Sequence, residues 1–408
     1  MSNTAPEFCI VGLSNRPDFT PTDEVRRALS THSIFCGSER HHEIVARWLP
    51  NGHLWLALHT ACALLASADK FGQPIVVFAS GDPLFYGIAS ALCTAAPNAR
   101  VRTLPWFTNF QLLCHRLALS YTELVATSTH GRDWTELDAA LIRGERLIGV
   151  FTDTEHSPAA IARRLLDYGF GHYALHVGEA LESSAERIRT LTLEQAATET
   201  FNPLNSVILI ADKRQPPTLG LDEALLSGLP DRPDMVTKMP VRLASLARLD
   251  LARRHCLWDV GFCTGSVSIE ARRQNPHLRV VAFEKRSECA ELLAHNARTF
   301  GAPGIVAVMG DFFNQPLADF PAPDAVFIGG HGGRLADLVN RLDSVLTPGG
   351  RLVINAVLDT SHSDFVDAVT RLRYNTLPSL RLQVDDHNPI VVLGAVKPVG
   401  TRFKENLR

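Results

Sequence analysis

Trp258-Asp259-Val260-Gly261-Phe262-Cys263-Thr264-Gly265-Ser266 is the stretch that decides the fold. An apolar run ends at Val260, a short loop flanked by glycines follows, and a helical pattern opens near Ser266. Glycine lets a backbone turn left-handed and pass close to a ligand. The amides at the start of the next helix then face that ligand. Strand, loop and helix in this order form the binding unit of a doubly wound sheet, where ligands sit outside the carboxyl ends of the strands. Two acidic residues extend the pattern. Glu284 closes the next strand-like run, 23 residues after Gly261. A carboxylate there can accept hydrogen bonds from both ribose hydroxyls of a nucleoside. Asp311 follows the third run in Met309-Gly310-Asp311-Phe312, where it can meet an adenine amino group while Phe312 packs on the ring. The loop lacks the GxGxxG of dinucleotide enzymes, and with Gly261 and Gly265 alone it is one glycine short of GxGxG.

Outward from this stretch, strand-like and helical patterns alternate along nearly all of the 408 residues. In the second half, strands are expected at 256–260, 280–283, 306–309, 325–328, 351–356, 380–384 and 390–396, with helices at 241–253, 266–274, 288–300, 335–346 and 365–373. In the first half, strands are expected at 8–13, 33–36, 54–58, 75–79, 101–104, 124–127, 147–151, 174–177 and 207–211, with helices at 22–29, 40–48, 110–117 and 158–168. That rhythm predicts an α/β fold with mostly parallel sheets. The length suits two domains. Pro216, Pro217, Pro230 and Pro233 crowd a segment without strand pattern, which reads as a linker holding a short helix at 221–226. The expected domains are 1–212 and 234–408, joined by 213–233.

Composition excludes several classes. Hydrophobic residues make up 46% and charged residues 20%, the balance of a globular protein rather than a disordered one. A net charge of −3 without basic runs argues against a nucleic-acid binder. Apolar runs are strand-length, so no membrane span is expected. The polar start, Met1 to Pro6, predicts no secretion signal. Eight cysteines are scattered without a CxxC pair, and no histidine cluster has zinc-ligand spacing. Reduced thiols, a cytoplasmic location and no metal site are the expectation.

In the first half, Ala79-Ser80-Gly81-Asp82-Pro83-Leu84-Phe85-Tyr86-Gly87 ends a strand. Gly81 permits a tight turn, Asp82 can cap a helix or meet a cofactor amine, and Pro83 fits the first helical position. The pair His41-His42 sits in a charged helix start and is expected to face solvent.

Taken together, these residues resemble the precorrin-6Y C(5,15)-methyltransferase family. In 234–398 the resemblance lies in the quoted loop, in 323–330 (PDAVFIGG), in 348–357 (PGGRLVINAV), in Asn388-Pro389-Ile390 and in the approach segment Met235-Val236-Thr237-Lys238. Over 8–212 the segment around Gly81-Asp82-Pro83, 103–111, 127–132 (TSTHGR), 149–152 and Gly178-Glu179 are similar to the tetrapyrrole methylase domain. The first-strand loop departs from that pattern, since Val11-Gly12-Leu13-Ser14-Asn15 keeps Gly12 alone, and Trp106-Phe107-Thr108-Asn109 replaces a turn of smaller residues.

The resemblance implies a two-lobed tetrapyrrole methylase fold followed by a Rossmann-like methyltransferase fold with a seven-stranded, mostly parallel sheet. S-adenosylmethionine is the implied cofactor. Its implied contacts are Gly12, Gly81, Asp82, Pro83, Thr108 and Asn109 in the first domain. In the second they are Thr237, Gly261, Phe262, Cys263, Thr264, Gly265, Glu284, Asp311 and Phe312. The implied reaction methylates carbons 5 and 15 of a tetrapyrrole and removes carbon dioxide from the acetate on carbon 12, giving precorrin-8X in cobalamin biosynthesis. Self-association is implied by analogy with both folds.

The Gly-Gly-His-Gly-Gly-Arg run at 329–334 suits a planar polyanionic substrate, with amides and Arg334 meeting carboxylates. Methyl transfer from a sulfonium releases a neutral group, so alignment and water exclusion matter more than a general acid. Decarboxylation needs a proton donor, for which His331, Arg334, Asn355 and His387 are candidates, and His130 with Arg132 is expected at substrate carboxylates in the first domain. Two rivals stand beside this reading: another small-molecule methyltransferase, or a chain in which the second domain alone is active. A cobalt-bearing substrate is the third alternative.

Overall fold

The computed structural model describes residues 5–57, 60–232, 235–386 and 388–399. The chain divides into two compact units. The first holds 1–132, 146–163 and 173–212, and the second holds 133–145, 164–172 and 213–408.

The first unit contains two five-stranded sheets. One is formed by β1 (Glu7–Leu13), β2 (Ile34–Cys36), β3 (Leu54–Leu56), β4 (Ile75–Ser80) and β5 (Arg100–Leu104), in the order β3-β2-β4-β1-β5 and parallel throughout. The other is formed by β6 (Val125–Ser128), β7 (Leu147–Phe151), β8 (Ala174–Glu179), β9 (Arg187–Leu191) and β10 (Asn205–Ile210), in the order β6-β7-β10-β8-β9. Its pairs are antiparallel except β6 with β7. Both faces of the first sheet are covered: Cys9, Val11, Phe35 and Phe78 join one cluster, and Phe8, Ile10, Ile75 and Val77 the other. Burial on both faces explains why the central strands β1 and β4 read as nearly unbroken apolar runs.

The second unit is built on β11 (Cys256–Val260), β12 (Arg279–Glu284), β13 (Ile305–Met309), β14 (Ala325–Ile328), β15 (Arg351–Ala356), β16 (Asn375–Thr376), β17 (Leu380–Leu382) and β18 (Ile390–Val396). The order is β13-β12-β11-β14-β15-β18-β16, with β17 also on β18. The first five strands are parallel, and β18 runs against β15. The expected seven strands become eight because β16 and β17 pair with β18 at different registers. Cys256, Trp258 and Val260 point into one core and Leu257 into the other, so the sheet is again packed on both sides.

Several local readings need correction. Pro83 does not open a helix. That helix is Ile88–Ala95 with Gly87 at its cap, and residues 82–87 form turns instead. Asp82 caps the first of them, its Oδ1 accepting from the Leu84 amide at 2.9 Å. The polar β9 escapes a reading by periodicity because an edge strand shows too little apolar alternation. His41 and His42 do not simply face solvent: His41 lies 3.1 Å from Ser80 Oγ, and the His42 ring packs edge-on to Trp55. The proline-rich stretch is not a bare tether either. Leu221 is buried, and the Gly220 and Leu221 amides donate to the Glu270 carboxylate. Its expected helix at 221–226 is a short 3-10 turn, Glu223–Leu225.

Candidate active site

In the second unit, the carboxyl ends of the parallel strands open onto a cleft of about 690 Å³. The strand order reverses between β11 and β14, which is where a doubly wound sheet binds its ligand. At that point the two loops touch. Val260 O accepts from the Gly329 and Gly330 amides at 2.8 and 3.1 Å. Gly261 has φ +81°, and a Cβ there would lie 2.6 Å from Gly330 N. A side chain at Gly329 would meet Gly261 O at 2.7 Å. Glycine is therefore required on both strands of the switch point.

The position where GxGxG would carry its middle glycine is Cys263. It has φ +52°, the left-handed conformation that glycine takes freely and cysteine takes under strain. The loop keeps its shape through hydrogen bonds: Cys263 N–H donates to Glu284 Oε2 at 3.1 Å, and Asn296 Nδ2 donates to Thr264 O at 2.9 Å. Gly265 caps the helix Ser266–Gln274 at φ +76° and does not line the cleft itself.

Thr237, Gly261, Phe262, Cys263, Thr264, Glu284, Asp311, Phe312, His331 and Arg334 all line the cleft. Glu284 is buried at the end of β12. Burial opposes its charge, but donors from Arg286 outweigh this and hold its pKa below the usual carboxylate range. Asp311 is exposed and caps the next turn through Phe313 N–H. Phe312 is mostly core, edge-on to Phe283 at 5.0 Å, while Phe313 is the less buried ring. The Arg334 guanidinium stacks 3.6 Å from the centre of the Phe313 ring. His331 Nε2 lies 3.4 Å from Ser361 Oγ, and its buried Nδ1 has no hydrogen-bond partner among the described residues. Asn355 also lines the cleft, and its Oδ1 accepts from the Ser245 hydroxyl at 2.7 Å. His387 lies outside the described residues.

Three features are absent from the sequence reading. Asp259 is buried within β11 on the cleft wall, and burial pushes its carboxyl up to about 7 against the donation from Ser268. Its Oδ1 has no partner among the described residues. A lone acid in an apolar strand, two residues before a glycine turn, is the available signal. Arg242 and Glu270 form an ion pair with both side chains fully buried. Arg242 also donates to Thr237 O at 2.6 Å, so this pair fixes the segment that brings Thr237 to the cleft. The third feature, the Arg286 side chain on Glu284, has no sequence signature beyond proximity.

In the first unit, the loops after β1, β4 and β5 converge in the same way. A Cβ on Gly12 would fall 2.0 Å from Gly81 O and 2.6 Å from Trp106 N, and Gly81 has φ +69°. Thr108 is buried and caps the helix Asn109–Arg116 by accepting from Gln111 N–H, and Asn109 Nδ2 donates to Ser206 Oγ at 3.3 Å. Pro83, two positions after Gly81, is buried. The reshaped first-strand loop has its own anchor. Glu182 Oε2 accepts from Ser14 Oγ at 2.7 Å and from Trp106 Nε1 at 3.0 Å. His130 Nδ1 lies 2.8 Å from Thr152 O, and Arg132 sits over the Tyr86 ring. Among the described residues, no group of three or more His, Cys, Asp or Glu could hold a metal ion. No helix there is long and apolar enough to cross a membrane.

Two family models match the chain: tetrapyrrole (corrin/porphyrin) methylases over residues 11–197 and a precorrin methyltransferase domain over 231–400. A precorrin-6Y C(5,15)-methyltransferase [decarboxylating] from Sinorhizobium sp is 30% identical over 97% of this chain and 94% of its own length. A cobalt-precorrin-6B C(15)-methyltransferase (decarboxylating) from Salmonella typhimurium is 36% identical over 42% of this chain and 84% of its own. A cobalt-precorrin-7 C(5)-methyltransferase from the same organism is 29% identical over 50% of this chain and 98% of its own.

Proposed function

Because this chain belongs to the precorrin-6Y C(5,15)-methyltransferase (decarboxylating) family, we propose that it methylates carbons 5 and 15 of a precorrin-6 type tetrapyrrole and decarboxylates the ring C acetate, giving precorrin-8X in cobalamin biosynthesis. The observation that carries this is one relative matching almost the whole chain, while two relatives named for one methylation each match about half of it. The relative that spans both halves is not named for a cobalt form, which favours the metal-free substrate.

S-adenosylmethionine is the methyl donor in this reading. The second-unit cleft suits it on two grounds: a glycine-lined backbone crossing that any side chain would fill, and a buried carboxylate oxygen on Asp259 without a partner among the described residues. Glu284 would take the ribose hydroxyls, Asp311 the adenine amino group, and Thr237 with 261–264 the remainder. In the first unit, Gly12, Gly81, Asp82, Pro83, Thr108 and Asn109 would serve the same role. The cofactor supplies an electrophilic methyl on a sulfonium with a neutral leaving group.

The chain's own residues then have limited but definite tasks. The apolar wall at Phe262, Phe312 and Phe327 excludes water from the cleft. Arg334, held by its stack on Phe313, receives a substrate carboxylate. In decarboxylation the bond to the acetate carboxyl breaks, carbon dioxide leaves, and the electron pair enters the conjugated ring. One proton must reach the remaining carbon to leave a methyl group. His331 is the residue we assign to that proton, since its ring lines the cleft and its Nε2 lies 3.4 Å from the Ser361 hydroxyl. Eight cysteines scattered without a CxxC pair suit a cytoplasmic setting. Calorimetric titration with S-adenosylmethionine tests the assignment: two sites per chain support it, and no binding would overturn it.

A further inference from the structure

Five donors converge on one carboxylate, that of Glu284. Oε2 accepts from Cys263 N–H at 3.1 Å and Arg286 Nη2 at 2.8 Å. Oε1 accepts from Lys285 N–H at 2.9 Å, Arg286 N–H at 3.1 Å and Arg286 Nε at 3.1 Å. A carboxylate offers about four lone-pair sites, so the group is saturated. Three of the donors are backbone amides fixed by the turns after β11 and β12. The Arg286 side chain is the one donor that can rotate away.

We infer that Arg286 is a displaceable latch on the ribose-binding carboxylate, and that the nucleoside's two hydroxyls enter by evicting its guanidinium. The inference rests on the cofactor reading above and deepens it. Bidentate arginine–carboxylate pairs are among the stronger side-chain contacts. Here the Glu284 side chain is 4% exposed and that of Arg286 28% exposed, so the pair is shielded on one side and open on the other. Solvent can receive the arginine when it leaves. Its Nη1 also meets Met235 Sδ at 3.4 Å. Met235 lies two residues before Thr237 on the segment that lines the cleft. Release of the latch therefore frees one contact on that segment. The three backbone amides remain to orient Glu284 once the arginine has gone.

The latch lowers apparent affinity, because a ligand that binds the open form sees its intrinsic affinity multiplied by the open fraction. Removing the side chain should tighten nucleoside binding at this site. The test is calorimetry on the full chain with S-adenosylhomocysteine, for the unaltered protein, Arg286→Ala and Arg286→Lys. Arg286→Ala should bind roughly two- to fivefold tighter at one class of site, the range set by a partly exposed ion pair. Arg286→Lys keeps the charge without the fork and should fall between. If Arg286→Ala does not fold, the lysine variant decides by the same direction. Competition with adenosine and 2′,3′-dideoxyadenosine adds a readout that general loosening would not give: the gain should appear for adenosine and vanish for the dideoxy compound. Unchanged or weaker binding in the folded variants would overturn the latch. Failure of the unaltered protein to bind would instead remove the cofactor reading beneath it.

Discussion

Gly261→Ala probes the backbone crossing on which the second site is built. The added Cβ would sit 2.6 Å from Gly330 N and 2.8 Å from Gly330 Cα. That is about 0.8 Å inside ordinary van der Waals contact, and the neighbour is backbone that cannot swing aside. Left-handed backbone in a non-glycine residue costs ~1–2 kcal/mol. Overpacking a tight contact adds ~1–3 kcal/mol, so the whole loss is roughly 2–5 kcal/mol. Gly169 has φ +74° with nothing within 4 Å of its would-be Cβ, so Gly169→Ala isolates the backbone cost. Urea unfolding followed by tryptophan fluorescence, to which the buried Trp258 contributes, separates the two. Because the β11 and β14 loops must part, Gly261→Ala should also weaken S-adenosylhomocysteine binding at least tenfold, about 1.4 kcal/mol. Gly169→Ala should leave binding unchanged. A Gly261→Ala protein that lost no more stability than Gly169→Ala, and bound as before, would refute the close-approach argument.

Other expectations follow from particular contacts. Arg242→Ala leaves Glu270 buried without its cation and should cost ~3–5 kcal/mol; Arg242→Met with Glu270→Leu should recover part of this in urea unfolding, and equal loss in both would contradict the argument. Asp259 has its carboxyl raised by burial to about 7, so the folded chain holds a proton there that the unfolded chain has lost. Its stabilising contribution is complete at acid pH and is lost as pH rises through about 7. Asp259→Asn should flatten that part of the stability profile, and an unchanged slope would count against it. A cationic cofactor favours the ionised form, so affinity should rise from about pH 6 to about pH 8 in the unaltered chain but not in Asp259→Asn. Glu182→Ala frees both Ser14 and Trp106 and should suppress one methylation while sparing the decarboxylation; product masses would show both effects, and two methyls added at the normal rate would contradict it.

The second unit is the more legible half. Its central strands are buried on both faces, so 256–260 and 325–328 announce themselves as apolar runs, and the glycines that end them mark the switch point. Glu284 is readable because an acid at the end of a buried strand needs a reason to be there, and Asp311 because it follows the Met309-Gly310 turn at the end of an edge strand. The strain at Cys263 is visible in sequence as a missing glycine, but hydrogen bonds from residues 21 and more positions away decide that the loop keeps its shape. Such partners carry no local pattern. The same holds for Arg286, whose role depends on a side-chain rotamer, and for Glu182, which reaches the β1 loop from 168 residues away. Pro83 misleads because a proline after Asp is a good helix start in general. Here Gly87 packs against Pro83 O, where a Cβ would fall 2.4 Å away, and the chain turns before the helix begins. His42 misleads because a charged neighbourhood in sequence says little about an aromatic ring such as Trp55 brought up from β3.

The central claim is that one chain performs two methylations and a decarboxylation. It is tested most directly by incubating the purified full-length protein with S-adenosylmethionine and precorrin-6B and weighing the product by mass spectrometry. The account predicts a product heavier by two methyl groups and lighter by one carbon dioxide. A product that gains a single methyl, or keeps its carboxyl group, would contradict it.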